Sequence, residues 1–131
     1  MVVLDASVVV EMLLRTSTGR KAFRRIAEEF GSAHAPHLID VEVTFALRRL
    51  VLRGELSASE AGLAVSALSE LGIERHAHLL LLRRMWDLRN AITAYDAAYV
   101  TLAEVLGIPL LTLDAKLSRS HGHHARIVLL A

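Results

Sequence analysis

Hydrophobic residues along the chain predict short strands that alternate with helices. The opening MVVLDA is an apolar, β-branched run typical of a buried strand, and SVVVEMLL follows it at helical spacing, which places a strand-to-helix junction at Asp5. Further strands are predicted over residues 33–36, 72–76, 108–114 and 126–130. Each of these strands except the last is followed by a segment with a helical pattern.

Helices are predicted where apolar residues recur about every 3.6 positions and end signals flank them. Residues 57–60, SASE, and 93–96, TAYD, have the spacing of a capping box, in which a hydroxyl and an acidic side chain bind backbone donors. Gly31 and Gly107 suit helix ends, because glycine readily adopts the left-handed conformation found there. The predicted helices span residues 17–30, 38–53, 57–71, 77–90, 93–106 and 115–120.

This alternation of strands and helices predicts an α/β fold. Parallel strands are joined by crossover helices, and such crossovers are right-handed in nearly all proteins. We therefore expect a three-layer α/β/α sandwich with a mainly parallel central sheet, formed by a single domain over residues 1–131. Ligands of such folds bind beyond the carboxyl ends of the strands.

Four acidic residues fall at that edge of the predicted sheet. Asp5 ends the first strand and Glu42 lies in the first turns of the helix after the second strand. Asp96 opens a late helix, and Asp114 ends the strand that follows it. Taken singly, each acid could instead cap a helix or favour its dipole, but a shared edge favours a common pocket. Ser7 could orient the Asp5 carboxylate, or could simply open a helix.

A pocket of four carboxylates indicates bound divalent cations. Each negative charge raises the pKa of its neighbours unless positive charge is present. Mg²⁺ or Mn²⁺ suits carboxylate oxygens, and magnesium keeps water ligands that leave room for a phosphate group. Because metal ions can activate a water molecule, the chemistry needs no serine or histidine nucleophile. The four acids therefore predict metal-dependent hydrolytic chemistry on a phosphate group.

Composition gives weaker indications of the binding partners and the cellular location of the protein. The net charge of +1 lacks the basic excess usual in nucleic-acid binders. With no cysteine, neither disulfides nor thiolate zinc sites are expected. Apolar runs fall short of the roughly 20 residues that cross a bilayer, and Asp5 and Glu11 interrupt the segment that a signal peptide keeps apolar. We expect a soluble, cytoplasmic protein. Basic residues nevertheless cluster at Arg15, Arg20, Lys21, Arg24 and Arg25, and again at Arg83, Arg84 and Arg89.

Four sequence blocks carry a resemblance to a known family. VVLDASVVV, PHLIDVEVTFALRR, LRNAITAYDAAYVTLAE and IPLLTLDAKL occur in the order and at the spacing found in PIN-domain ribonucleases, most closely VapC-type toxins of type II toxin–antitoxin pairs. The resemblance spans almost the whole chain. Ser7 matches a supporting position of the family, and Thr112 matches a hydroxyl residue two positions before the last acid. The catalytic, metal-binding acids of the family fall on Asp5, Glu42, Asp96 and Asp114.

The resemblance implies properties that the residues alone do not. A family member is expected to be a Mg²⁺- or Mn²⁺-dependent endoribonuclease that forms a homodimer and is inhibited by a small cognate antitoxin whose tail reaches the acidic site. The helical hairpin of 38–53 and 57–71 could offer the partner an apolar groove, or its apolar residues could all be core. The residues concerned are Phe45, Leu47, Leu50, Leu63 and Leu68.

Three alternatives remain open from the residues themselves. A receiver-like Mg²⁺-binding signalling domain would need adjacent acids after the first strand and a lysine after the last, and this chain has neither. A haloacid-dehalogenase-type phosphatase would need D-x-D where this chain has D-A-S. A catalytically silent RNA-binding module would bind metal without turnover, which an activity assay separates.

Several other polar or aromatic residues are assigned structural roles. Asp40 lies two residues from Glu42 on a helix and should point elsewhere. The imidazoles in 121–124 lack the spacing of a helical zinc pair. Trp86 and the leucines of 79–82 are expected to pack in the core or in a dimer interface rather than to stack on bases.

Overall fold

Five short strands form one parallel sheet in the computed structural model, which describes residues 1–130. The strand order is β3-β2-β1-β4-β5, and every neighbouring pair runs parallel. The prediction of a mainly parallel α/β sheet is therefore confirmed. The strands are β1 (Val2–Leu4), β2 (Ala33–Pro36), β3 (Ile73–His76), β4 (Leu110–Thr112) and β5 (Ile127–Leu129).

The central strand is buried completely, as its apolar sequence predicts. Val2, Val3 and Leu4 are all 0% exposed. In a parallel sheet both faces are covered by helices, so a central strand carries apolar residues at successive positions rather than at alternate ones. Leu110 and Leu111 of the adjacent β4 are likewise 0% exposed.

Helices cover the sheet and complete the expected three layers. Helices α1 to α4 pack against one another, and α6 packs against β1, β2 and β4 with α5 beside it. In residues 1–130, no helix has the length and apolar character to cross a membrane. The helices are α1 (Ala6–Leu13), α2 (Ser17–Arg25), α3 (Leu38–Leu52), α4 (Ala58–Glu70), α5 (Leu82–Asp87), α6 (Ala94–Leu106) and α7 (Ala115–Ser118).

Two predicted helices are less regular than their sequences indicate. The segment 17–30 continues past α2 as a π-helix over Ile26–Phe30, closed by the Gly31 N–H, which donates to the carbonyl of Ile26 at 2.7 Å. The segment 77–90 begins instead as a 3₁₀ turn over Leu79–Leu81 before α5. Neither the 3₁₀ turn nor α5 begins next to a residue whose side chain caps it, which explains why regular helix begins late in the segment 77–90.

Apolar residues of the α3–α4 hairpin and of the α5 region divide between core and surface. Leu47 and Leu68 are buried, whereas Phe45 and Leu63 are 56% and 71% exposed. Leu50 is half-buried. In the α5 region Leu81 is buried, and the neighbouring apolar side chains that remain exposed are Leu79, Leu80, Leu82 and Trp86.

The strand order creates a crevice next to β1. The chain leaves β1 for β2 and β3 on one side and returns through β4 and β5 on the other. Ligands of open α/β sheets bind at this reversal point, beyond the carboxyl ends of the strands. Asp5 follows β1 directly. The sequence predicts that Asp114 ends β4. In the structure β4 ends at Thr112, and Asp114 follows it by two positions.

Candidate active site

Asp5 is the most deeply placed of the four acids. Asp5 is 7% exposed. Its Oδ1 accepts hydrogen bonds from the Ser7 hydroxyl at 2.5 Å and from the Val8 N–H at 3.3 Å. Its Oδ2 accepts a hydrogen bond from the Thr112 hydroxyl. Burial raises the pKa of Asp5, these hydrogen bonds lower it in part, and the charge of Asp96 raises it further. Asp5 therefore both caps α1 and presents an oriented carboxylate.

The Ser7 and Thr112 hydroxyl groups that bind Asp5 are oriented by backbone N–H groups at and after the end of β4. The Ser7 Oγ accepts a hydrogen bond from the Leu113 N–H at 3.1 Å, and the Thr112 Oγ1 accepts one from the Asp114 N–H at 3.0 Å. A hydroxyl has only one proton, so accepting a backbone N–H leaves that proton free to point at Asp5. Ser7 and Thr112 thereby link the carboxyl ends of β1 and β4 around one carboxylate.

Glu42 and Asp96 are half-buried acids on α3 and α6. Burial raises the pKa of Glu42, the nearby Tyr99 hydroxyl lowers it in part, and the charges of Asp96 and Asp5 raise it further. Burial also raises the pKa of Asp96, with an additional contribution from the charge of Asp114. These mutual effects mean that the four carboxylates share one electrostatic environment, which favours positive charge among them.

Asp114 is the exposed member of the set and also has a structural role. Its Oδ1 accepts hydrogen bonds from the Lys116 N–H at 2.9 Å and the Leu117 N–H at 3.2 Å, which caps α7. Its second oxygen makes no hydrogen bond within residues 1–130. The capping interpretation is thus correct for Asp114 and for Asp5, and it does not exclude a second role for either carboxylate.

Tyr99 is a residue of this environment that the sequence did not single out. It is 2% exposed, and its hydroxyl lies near the Glu42 carboxylate without meeting it, or any other described group, at good hydrogen-bond geometry. Burial raises the pKa of Tyr99, the interaction of its hydroxyl with the Glu42 carboxylate raises it further, and so do the charges of Glu42, Asp5 and Asp96. The available signal was its spacing, because Tyr99 follows Asp96 by one helical turn and so shares its face of α6.

The spacing of the acids bears on which cation they could hold. In the described part of the chain, no three of them bring one carboxylate oxygen each within 4.8 Å of one another. A closed cage of protein ligands is therefore absent from these residues. Mg²⁺ is commonly bound through one or two carboxylates while it keeps several water ligands. An open, all-oxygen set fits such an ion, and burial among like charges raises the pKa values of Asp5, Glu42 and Asp96.

Residues assigned structural roles from the sequence have partners outside this pocket. Asp40 forms a bidentate ion pair with Arg75, with oxygen-to-nitrogen distances of 2.7 and 2.8 Å. In the loop before β5, His123 lies 2.8 Å from the Ser120 hydroxyl, and His124 Nδ1 lies 2.8 Å from a carboxylate oxygen of Glu104.

Comparison with known proteins identifies the family. The PIN-domain family pattern matches residues 2–121. The chain is 43% identical over 131 residues to Ribonuclease VapC12 of Mycobacterium tuberculosis, with 100% of both chains covered. It is 41% identical over 128 residues to Ribonuclease VapC1 of the same organism, covering 97% of this chain and 96% of that protein.

A solved structure agrees in fold. The crystal structure of VapBC2 from Rickettsia felis bound to a DNA fragment from their promoter aligns with a TM-score of 0.72 at 11% identity and covers 100% of both chains. At that identity the likeness concerns the fold alone, and the sequence relatives carry the assignment. The chain belongs to the PIN-domain family and, within it, to the VapC ribonucleases.

Proposed function

We propose that this protein is a metal-dependent endoribonuclease toxin that hydrolyses phosphodiester bonds of cytoplasmic RNA and is neutralised by a cognate antitoxin. The observation that carries the proposal is the buried Asp5 carboxylate, held on both oxygens by Ser7 and Thr112 at the reversal point of the sheet. Membership of the VapC ribonucleases supports the choice of RNA as substrate.

The four acids would hold Mg²⁺ or Mn²⁺, and Asp5 is the best oriented of them. When bound, such a cation supplies an activated water and neutralises charge on the phosphate. Ser7 and Thr112 fix the Asp5 carboxylate, so its oxygens need no reorganisation when a cation or substrate arrives. Glu42 on α3 and Asp96 on α6 contribute further negative charge, which attracts the cation to this edge of the sheet.

The proposed activity is tested by incubating the purified protein with total RNA and Mn²⁺ or Mg²⁺ and mapping new 5′ ends. We expect cleavage at discrete positions, and we expect a chelator to abolish it. A DNA strand of the same sequence serves as a second substrate, because hydrolysis by an activated water does not require the 2′-hydroxyl. If the protein binds RNA and metal but no new ends appear with either ion, the silent-module alternative is correct.

Thr112 is expected to act as a positioning residue for Asp5. The substitution Thr112→Val keeps the side-chain volume but removes the hydroxyl, and we expect RNA cleavage to fall about 10-fold or more, as for other residues that orient metal ligands. A higher Mn²⁺ concentration should restore part of the rate, because the lost orientation weakens cation binding. Thr112→Ser should retain most of the activity. Equal rates for the valine and threonine proteins would contradict this role.

A homodimer is the oligomeric state that we propose, formed by the exposed apolar side chains around α5. Leu80 is 95% exposed and Trp86 is 64% exposed, and a second copy of the chain would cover both. Light scattering should give twice the chain mass of 14.4 kDa. Leu80→Glu should give monomer, whereas Leu63→Glu on another surface should remain dimeric. A monomeric parent protein would refute the proposal.

The antitoxin is proposed to bind the groove between α1, α2 and α4. This groove encloses about 880 Å³ and combines apolar side chains, including Phe23 and Leu63, with the arginines Arg15, Arg20 and Arg24. Such a surface complements a segment with an apolar face and acidic residues. Leu63→Glu should weaken inhibition by the cognate antitoxin without slowing RNA cleavage, and Leu80→Glu should not. Unchanged inhibition of the Leu63→Glu protein would place the antitoxin elsewhere.

A further inference from the structure

A second cluster of metal-ligating side chains lies within the sheet and contains none of the four acids of the pocket. Its members are His34 on β2 and Glu74 and His76 on β3. His34 is in register with Glu74, and Pro36 is in register with His76. Since side chains two residues apart on a strand share a face, all three side chains project from the same face of the sheet.

The three side chains are close enough to bind one ion. His34 Nδ1 lies 3.0 Å from His76 Nε2 and 3.5 Å from a carboxylate oxygen of Glu74. One ligand atom from each residue lies within 4.8 Å of the other two, and within residues 1–130 no other set of His, Asp or Glu side chains meets this condition. Ligands of a tetrahedral zinc ion are about 3.3 Å apart, given metal–nitrogen distances of about 2.0–2.1 Å. Side-chain adjustments of about 1.5 Å or less would therefore bring the three ligand atoms to this spacing.

The surroundings of His34 are compatible with the protonation state that a metal ligand requires. His34 Nε2 lies 3.2 Å from the Ser32 hydroxyl. A proton on Nε2 donated to Ser32 leaves the lone pair on Nδ1, which faces His76 and Glu74. Metal-bound histidines commonly donate their other ring N–H to an oxygen in this manner, because the bond fixes the orientation of the ring.

We propose that His34, Glu74 and His76 form a Zn²⁺ site that is separate from the catalytic pocket. Two imidazole nitrogens and one carboxylate oxygen suit Zn²⁺, whereas Mg²⁺ prefers oxygen ligands alone. Three protein ligands leave a fourth position for water. Solvent reaches the site from the side of Glu74, because the Glu74 side chain is 69% exposed while that of His34 is 4% exposed.

The consequence of zinc binding is a crosslink at the edge of the sheet. β3 is the outermost strand on this side and pairs only with β2. An ion held by one ligand on β2 and two on β3 joins the two strands through their side chains, in addition to their backbone pairing. Since the unfolded chain lacks this arrangement, binding stabilises the folded state. In our proposal the bound ion stabilises the sheet, and RNA cleavage does not depend on it.

The test is a titration of the purified full-length protein with Zn²⁺ by calorimetry, in excess Mg²⁺ so that the acidic pocket is already supplied with cation. We expect one Zn²⁺ per chain and a rise in the unfolding midpoint on the order of 5 °C. Glu74→Gln and His76→Gln should each weaken Zn²⁺ binding about 10-fold or more. Both positions are at least partly exposed, so these variants should fold, and their RNA cleavage in Mg²⁺ should equal that of the parent protein.

His121→Gln is the matched control, because it removes an exposed imidazole from the loop before β5. It should bind Zn²⁺ as tightly as the parent protein. The proposal is overturned if the parent binds no Zn²⁺, if Glu74→Gln and His76→Gln bind it unchanged, or if His121→Gln loses it instead. The absence of RNA cleavage by the parent would leave the zinc titration interpretable, so the two proposals fail independently.

Discussion

Replacing Asp5 with Asn is expected to lower the rate of RNA cleavage about 100-fold or more, because a residue that would bind the cation directly should matter more than those that orient it. Asn keeps the shape of the side chain but only one acceptor oxygen, so one of the Ser7 and Thr112 hydroxyls keeps its acceptor and the other faces the amide N–H₂ group. The substitution therefore removes the negative charge and one hydrogen-bond acceptor while it keeps the volume of the side chain. The measurement is the initial rate of cleavage of a mapped RNA site in Mn²⁺ and in Mg²⁺.

Stability measurements separate this effect from misfolding. The folded state raises the pKa of Asp5, so it holds the proton better than the unfolded state does, and stability falls as the pH rises from the ordinary value of 3.8 through the folded value. Above that window the ionised carboxylate is a cost in the metal-free protein. Asp5→Asn should therefore unfold at the same temperature as the parent or higher when a chelator is present at neutral pH.

Asp87→Asn provides the control for the chemical change itself. Asp87 is an exposed acid at the end of α5, where its carboxylate lies 3.6 Å from Arg83. Its removal should leave the cleavage rate within about twofold of the parent, because exposed ion pairs contribute little. Should Asp5→Asn cleave as fast as Asp87→Asn, the acidic pocket would not be the site of the chemistry.

Gly19→Ala is expected to lower the free energy of unfolding by about 3 kcal/mol or more, at or beyond the upper end of the usual range for overpacking. Gly19 lies in α2 against the backbone of α1. A Cβ atom added there would stand 1.9 Å from the carbonyl oxygen of Glu11 and 2.7 Å from the backbone nitrogen of Met12. Because both neighbours are backbone atoms, no side-chain rotation relieves the clash, and α1 and α2 must move apart. Urea denaturation measures the change.

Gly62→Ala is the matched control in another helix. Gly62 lies within α4, and no atom of residues 1–130 stands within 4 Å of the position that its Cβ would occupy. Alanine restricts the unfolded chain and favours helix, so this protein should be more stable than the parent by about 0.5–1 kcal/mol. Opposite signs for the two substitutions are the expected outcome. A similar loss of stability at both positions would mean that α1 and α2 are not in such close contact.

Local patterns in the sequence were sufficient for the order of elements and for the edge at which the acids lie. A buried parallel strand must be apolar at successive positions, and β1 has that pattern. The helix signals at Ser57 and Thr93 were equally local: each hydroxyl accepts a hydrogen bond from the N–H three residues later, at 3.0 Å and 3.1 Å respectively. Such signals act over a few residues, so the sequence contains them in full.

The position of Asp5 at a strand-to-helix junction also followed from the sequence alone, as did the nearby Ser7 as a residue that could orient its carboxylate. The contact with Thr112 did not. Thr112 is 107 residues away, and its hydroxyl reaches Asp5 only because β4 pairs with β1. The order of strands in a sheet depends on contacts between distant segments, which periodicity does not encode.

Only the tertiary structure decided which side chains are neighbours in space. It placed Tyr99 among the acids, it spaced the carboxylates too widely for a closed cage, and it left Phe45 and Leu63 exposed. It also brought His34 next to His76 through the register of β2 and β3. The physical reason is common to these cases. Burial and proximity depend on how helices and strands pack, and residues with identical local patterns acquire different neighbours when the packing differs.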